Sequence, residues 1–372
     1  MSMSVNISNI QSSMYFVSNL PDIEVATTAD KVHIRVVVAN GSASEVCIDQ
    51  YYFTSNNGFT IYDVCDLCKS FLEGRNLIYC TCTVTATVQD ENDEDVVDTE
   101  SFTVFYEGMA TGRDIEHVND YFLVSSDKKI IYKEGKLDEF IGYAHVRSQG
   151  ENSIHTANFI AVCRMIDDSV SRVVAQSSID FGNIEIYTGS LQFTYSSILQ
   201  AVKAVDANVS EIMSFRIELD NRVVSYIVSD SDTENMKFFY FRNEFGFVET
   251  LALPGVTKEV DDYTQSVAVS GHTRIKYDAH VEQSFQFQSA ALPSFVEVAV
   301  ASVLLARFVV VWFAPLIAKT ILITDSTWEK SNEIGTVNAV KFTYEFTDDR
   351  LVKYYSGAVT RVFNNVYDNT YG

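Results

Sequence analysis

Residues 77–88, LIYCTCTVTATV, alternate so strictly that they admit one local structure. Ile78, Cys80, Cys82, Val84, Ala86 and Val88 hold the even positions, and Thr81, Thr83, Thr85 and Thr87 hold the odd ones. Side chains on a strand point to opposite faces with period two, so this stretch predicts a strand with one buried and one wet face. Both cysteines then point inward as small apolar residues. Just upstream, DVCDLCKSFLEG places Val64, Leu67, Cys68, Phe71 and Leu72 at helical spacing. The spacing predicts a helix over 64–73, with Asp63 as N-cap and Gly74 as its stop.

The cysteines raise a competing reading. Cys65-x-x-Cys68 followed by Cys80-x-Cys82 has four thiols, but zinc knuckles place two to four residues between paired ligands and the second pair has one. A redox motif needs a βαβ context that the pattern lacks. With Cys47 and Cys163 they are expected as reduced thiols, since MSMSVNISNIQSSMYF has neither a basic n-region nor an apolar h-region. QDENDEDVVDTE (89–100) is dense in acids, but an EF-hand frame opened at Asp90 puts Asp95 where glycine belongs and Ser101 at the twelfth position, so it reads as a solvated hairpin tip.

The segment YFTSNNGFTIYD (52–63) aligns without gaps on IYTGSLQFTYSS (186–197). A short amphipathic helix follows each block, over 64–73 and 198–205, and then a hairpin. In the second copy the hairpin is IMSFRIEL, an Asp220-Asn221 turn and VVSYIV. The inward parity of its first strand (Met213, Phe215, Ile217, Leu219) runs one residue out of step with the first copy. A polar stretch from Asp230 reads as a linker, KFFYFRNEFGF as an aromatic strand region, and Pro254-Gly255 as a turn. In FVEVAVASVLLARFVVVWFAPLIA (295–318) charges at Glu297 and Arg307 leave no uncharged run long enough to span a bilayer. Ser294-x-x-Glu297 predicts a capping box opening a helix to about Ala306, with FVVVWF a buried strand.

The 372 residues, 47% of them hydrophobic and rich in Phe, Tyr, Val, Ile and Thr, suit two or three globular β-rich domains. The expected fold class is mainly β. It has two β-sandwich-like domains with one short helix each, over 1–108 and 109–235 and read as a duplication. A third β-rich domain with a capped helix spans 236–355, and 356–372 is a C-terminal arm or last strand. A net charge of −23 repels phosphate backbones and argues against nucleic-acid binding.

Motifs for a P-loop, a dinucleotide fold, a serine hydrolase and a zinc protease are absent from the sequence. The six histidines (His33, His117, His145, His155, His272, His280) are scattered. No catalytic, cofactor-binding or metal-ligating residue is assigned, and the expectation is a non-enzymatic protein without cofactors.

FFYFRNEFGFVETLALPG (238–255), the helix-then-strand unit and the closing ITDST…VNAVKFTYEFTDD resemble uncharacterised tail and baseplate-type structural proteins of tailed phages and prophages of gut Bacteroidales. The resemblance covers 238–349 and, more loosely, FTIYDV (59–64). It implies a virion component made in the bacterial host cytoplasm, in a tail hub or baseplate. Such a component would assemble as a ring-like homo-oligomer and touch adjoining tail or portal-proximal proteins. The resemblance carries over no functional residue. A carbohydrate- or receptor-binding β-sandwich protein is the alternative.

Overall fold

The computed structural model describes residues 3–54, 58–89, 94–107, 121–133, 142–147, 154–180, 188–229, 235–270, 273–314, 317–329 and 338–347. The first third runs β1 (Val5–Ser8), β2 (Met14–Phe16), β3 (Ile23–Thr27), β4 (Lys31–Asn40), β5 (Ala43–Phe53), β6 (Gly58–Ile61), α1 (Val64–Arg75), β7 (Tyr79–Gln89) and β8 (Asp95–Phe105). The alternating threonine stretch is β7. Cys80, Cys82, Val84, Ala86 and Val88 are buried and its threonines are half-buried, as the period-two pattern requires.

The second third repeats this plan. It runs β9 (Lys128–Tyr132), β10 (Gly142–Arg147), β11 (Ile154–Met165), β12 (Val170–Asp180), β13 (Thr188–Phe193), α2 (Tyr195–Val205), β14 (Val209–Leu219) and β15 (Arg222–Ser229). The two five-stranded sheets have the same order, β2-β8-β7-β4-β5 and β9-β15-β14-β11-β12, and in each the first pair is parallel. In each a small sheet holds the strand before the helix, β3 with β6 and β10 with β13. The sequence repeat therefore has a topological counterpart. The parity slip also has a cause. Val162 faces Ser214 while Cys163 faces Ile212, so Met213 is an inserted bulge residue. Ile212 is buried before it, Phe215, Ile217 and Leu219 after it, and Met213 itself turns outward.

The final third is β16 (Met236–Arg242), β17 (Val248–Ser270), β18 (Thr273–Ser289), α3 (Glu297–Leu305), β19 (Val309–Ala314), β20 (Ile317–Glu329) and β21 (Ala339–Phe346). Its strands close into a six-stranded barrel in the order β16-β17-β18-β21-β20-β19. Phe239, Phe241, Leu253, Phe287, Phe342 and Tyr344 fill its core, with Val300 and Val303 of α3 packed on them. The mainly β class with few helices is what the composition and periodicity predict. The barrel's closure was not, because closure depends on register between distant strands.

Several local expectations need correction. Gly74 lies inside α1; the stop is Asn76, in the left-handed region at φ 55°, with the Leu77 N–H returning to the Leu72 carbonyl at 2.9 Å. Asp63 precedes α1 in a left-handed conformation and makes no side-chain cap. Helix α2 starts earlier than expected because Thr194 and Ser197 form a reciprocal capping box. The Ser294–Glu297 box does not form: residues 294–296 make a 3-10 turn after Pro293, and α3 starts uncapped at Glu297. Pro254 and Gly255 are no turn but sit inside β17, facing Met236 and Ser289. No helix among the described residues is long and apolar enough to cross a membrane. The polar start at 230–234 and the tail at 356–372 lie outside the described residues.

Gly255 is fixed by close approach. A Cβ there would collide with the Gln288 carbonyl oxygen and meet the Phe287 ring at 2.7 Å. Gly255→Ala is therefore expected to destabilise the barrel by about 1–3 kcal/mol through overpacking. A urea unfolding midpoint at or above wild type would contradict that packing.

Candidate functional site

Three features of the structure go beyond core packing: a buried polar knot, two surface depressions, and long strands with open edges.

The knot starts in the turn between β16 and β17. Asn243 orders the turn by accepting N–H bonds from Phe245 and Phe247 on Oδ1, both at 3.0 Å, and Gly246 takes the positive φ of 82° that the reversal demands. The Asn243 side-chain nitrogen donates to the Leu123 carbonyl at 3.0 Å and to Glu249 Oε1 at 2.6 Å. Glu249, 1% exposed, also accepts from the Ser125 N–H at 2.6 Å and the Ser125 hydroxyl at 2.7 Å, and it pairs with the Lys129 ammonium. Burial alone would raise this carboxyl. Lys129 and the hydrogen bonds from Ser125 and Asn243 outweigh it and hold the pKa below the usual carboxylate value.

Through these bonds the barrel grips the segment that leads into β9. The same turn sends Phe245 and Phe247 into a cluster with Phe16, Phe105 and Leu123, so the first third is fastened at the same point. Tyr226 of β15 is wholly buried nearby, and burial together with the Glu249 charge pushes its hydroxyl well above its ordinary pKa.

One depression, about 300 Å³, lies in the seam between α1 and the barrel. It is lined by Glu73, Asn76, Tyr106, Arg242, Glu244 and Arg307. Arg307 pairs with Glu73, Arg242 donates to the Asn76 carbonyl at 3.1 Å, and Glu244 accepts from Ser302 at 2.9 Å. The Arg307–Glu73 pair and the Arg242–Asn76 bond cross this seam, which makes it a joint between units. The other depression, about 490 Å³, is a trough across β17, β18, β21 and β20. Lys258, Gln286, Gln288, Asp325, Lys341 and Thr343 give it amide, hydroxyl and charged groups.

Open edges among the described residues include β5 and β12, the outermost strands of the two five-stranded sheets, and the ribbon of β17 and β18. The strands stay paired from Gly255↔Ser289 to Ser270↔Thr273, yet β16 joins β17 only as far as Pro254 and β21 joins β18 only over 285–288. Beyond them the ribbon has no third strand among the described residues.

Of the cysteines singled out by spacing, Cys68, Cys80 and Cys82 meet in the first core, all 0% exposed and within hydrogen-bonding reach of one another through Cys68. That contact, with burial, pushes the Cys80 and Cys82 thiols up. Cys65 is half-buried near Asp22, Asp63 and Asp66. Among the described residues no group of three or more His, Cys, Asp or Glu side chains is arranged to hold a metal ion. His33 contacts Asp49 at 2.7 Å; His117 and His272, part of the acidic hairpin tip (90–93) and the side chains of His145, His155 and His280 lie outside the described residues.

Sequence reasoning did not single out Asn243, Glu249, Ser125 or Lys129. The one available signal was an acid, Glu249, inside the apolar run FGFVETLAL. Neither a protein-family model nor a curated protein sequence matches this chain.

Glu249→Gln leaves Lys129, 11% exposed, without its counter-charge in a closed site and is expected to cost about 3–5 kcal/mol, read as a fall in the urea midpoint. Folding lowers the Glu249 pKa, so its stabilisation is complete above the unfolded value near 4.5 and is lost as pH falls through the folded one. Acid should therefore lower the wild-type midpoint more than that of Glu249→Gln. Equal acid sensitivity of the two would contradict this assignment.

Proposed function

We propose that this chain is a structural component of a tailed-phage virion, placed in the tail hub or baseplate and made in the host cytoplasm. It acts by self-assembly and by contact with adjoining tail or portal-proximal proteins. The observation that carries the reading is the β17–β18 ribbon. From Val260↔Ser284 to Ser270↔Thr273 it extends eleven register pairs past the last barrel partner, about 35 Å at ~3.4 Å per residue. A two-stranded ribbon is marginally stable in water, and its outer N–H and C=O groups form a template for another chain. Such an element gains its stability on a neighbour. The joint formed by the Glu249 knot supports the same reading, because a scaffold that transmits load needs its units fixed to one another. The charge of −23 suits a protein held at high copy number.

The trough on the barrel favours a second reading, binding of a carbohydrate or receptor, because its row of Gln, Thr, Lys and Asp side chains matches sugar hydroxyls. Soluble glycans raising the protein's melting temperature in a dose-dependent way would favour this reading.

Quantitative mass spectrometry of purified phage particles tests the proposal. The expected result is this chain at a fixed, multiple copy number per particle. Its absence from particles that carry a complete tail would overturn the reading.

A further inference from the structure

Beyond Glu297, helix α3 (EVAVASVLL) carries apolar side chains on every face apart from Ser302, which donates to Glu244 at 2.9 Å. Val300 and Val303 hold the helix on the barrel. Its outer face carries Val298 at 48% and Leu305 at 62% exposure, with half-buried Ala301 between them. A helix face turned to water normally carries charged or polar side chains, and this one carries none. The apolar surface continues past the helix. Leu305 and Phe308 line the same depression. Phe308, one step before the Val309↔Ile321 pair, comes beside Leu322 on the neighbouring strand. Phe308 is 44% and Leu322 56% exposed. Single exposed apolar residues are ordinary, but a run of them over adjoining elements marks a docking surface.

The chain itself supplies the occupant. Phe346 pairs with Ile321 and Ile321 with Val309, so two strand spacings of ~4.8 Å bring the end of β21 to about 10 Å from Val309. The Thr347 N–H then donates to the Thr320 carbonyl at 3.1 Å. Residues 348–372 follow, outside the described residues. In LVKYYSGAVTRVFNNVY (351–367), positions 351, 354, 355, 358, 359, 362, 363, 366 and 367 are all apolar or aromatic. The positions between them are Lys, Ser, Gly, Thr, Arg and Asn, apart from Val352. This i, i+3, i+4, i+7 recurrence is the pattern of an amphipathic helix, whereas a half-buried strand alternates singly. Gly357, the β-branched residues and two asparagines make such a helix weak alone, so it needs a surface for its apolar stripe.

We propose that residues 351–367 form an amphipathic helix whose apolar stripe packs on Val298, Leu305, Phe308 and Leu322 of the same molecule. The link 348–350 extends about 10 Å at ~3.4 Å per residue, which bridges the gap from the end of β21. A helix over 351–367 is about 25 Å long, more than the length of α3. So short a tether gives the segment an effective concentration of about millimolar at its own surface, which favours it over the same segment of a neighbour.

Hydrogen exchange of the full chain, read by mass spectrometry at two protein concentrations, tests this. The expected result is exchange over 351–367 slowed about tenfold or more against its unstructured rate, equally at both concentrations. Leu305→Asp puts a charge on the outer face of α3 and should restore fast exchange over 351–367. The Leu305 side chain is exposed, so folding should hold, and unchanged exchange of β16 and β20 checks that. Val359→Asp with Phe363→Asp should release the segment from the other side and speed exchange of α3. Gly357→Ala, on the polar side of the stripe, should slow exchange over 351–367 further, by about two- to fivefold.

Three results would overturn the inference: exchange over 351–367 at the unstructured rate in wild type, slow exchange that survives Leu305→Asp, or slow exchange that appears only at the higher concentration, which would assign the surface to the segment of a second copy. None of them bears on the presence of the chain in phage particles, so this inference and the assembly reading fail separately.

Discussion

A single buried carboxylate organises this protein. Glu249 gathers the Lys129 ammonium, both donors of Ser125 and the amide of Asn243 into one site that water does not reach. An ionised carboxylate in such a place is costly unless every lone pair is occupied and a counter-charge is at hand. Both conditions are met only when the barrel turn, the strap at 121–128 and β9 are together. The same requirement positions Phe245 and Phe247 against Phe16, Phe105 and Leu123, so apolar packing of the first third and polar pairing of the second converge on one turn of the third. The joint is specific because it is polar, and strong because its failure strands charges.

Around that joint the chain uses one plan twice and then a different one. In the repeated plan a five-stranded sheet is completed by a parallel strand that arrives from earlier in the chain, β2 beside β8 and β9 beside β15. In the second copy that strand follows directly on the segment bound by Glu249, which ties the sheet to the barrel. The barrel has spent its edges on closure and projects two of its strands outward as a ribbon. Closed edges thus lie in the barrel wall, and open ones along the ribbon and at the ends of the sheets.

Much of the fold was legible in the sequence where one rule acted alone. The threonine alternation of β7 gave its buried face down to the two cysteines, and the 52–63 and 186–197 blocks marked the repeat. The sequence misled where a second rule intervened. Gly74 reads as a helix stop, but Asn76, which tolerates the left-handed region, ends the helix. Pro254-Gly255 reads as a turn, yet Gly255 is needed for the close approach of Phe287 inside a strand. Met213 reads as part of the inward face, but it is the inserted residue of a bulge. The Glu249 site was not legible because its members are separated by as many as 124 positions and share no spacing rule. Only an acid in an apolar run hinted at it. The ribbon was hidden for a related reason: the lack of a third described strand beside β17 and β18 is a property of the whole barrel.

Differential scanning calorimetry of the full chain at neutral pH, wild type against Glu249→Gln, tests the central claim most directly. If the carboxylate couples the units, wild type melts with the strap and barrel in one cooperative transition, and the variant separates into at least two, the earlier reporting release of the strap and β9. A variant that keeps a single transition of wild-type shape, merely displaced in temperature, would contradict the account.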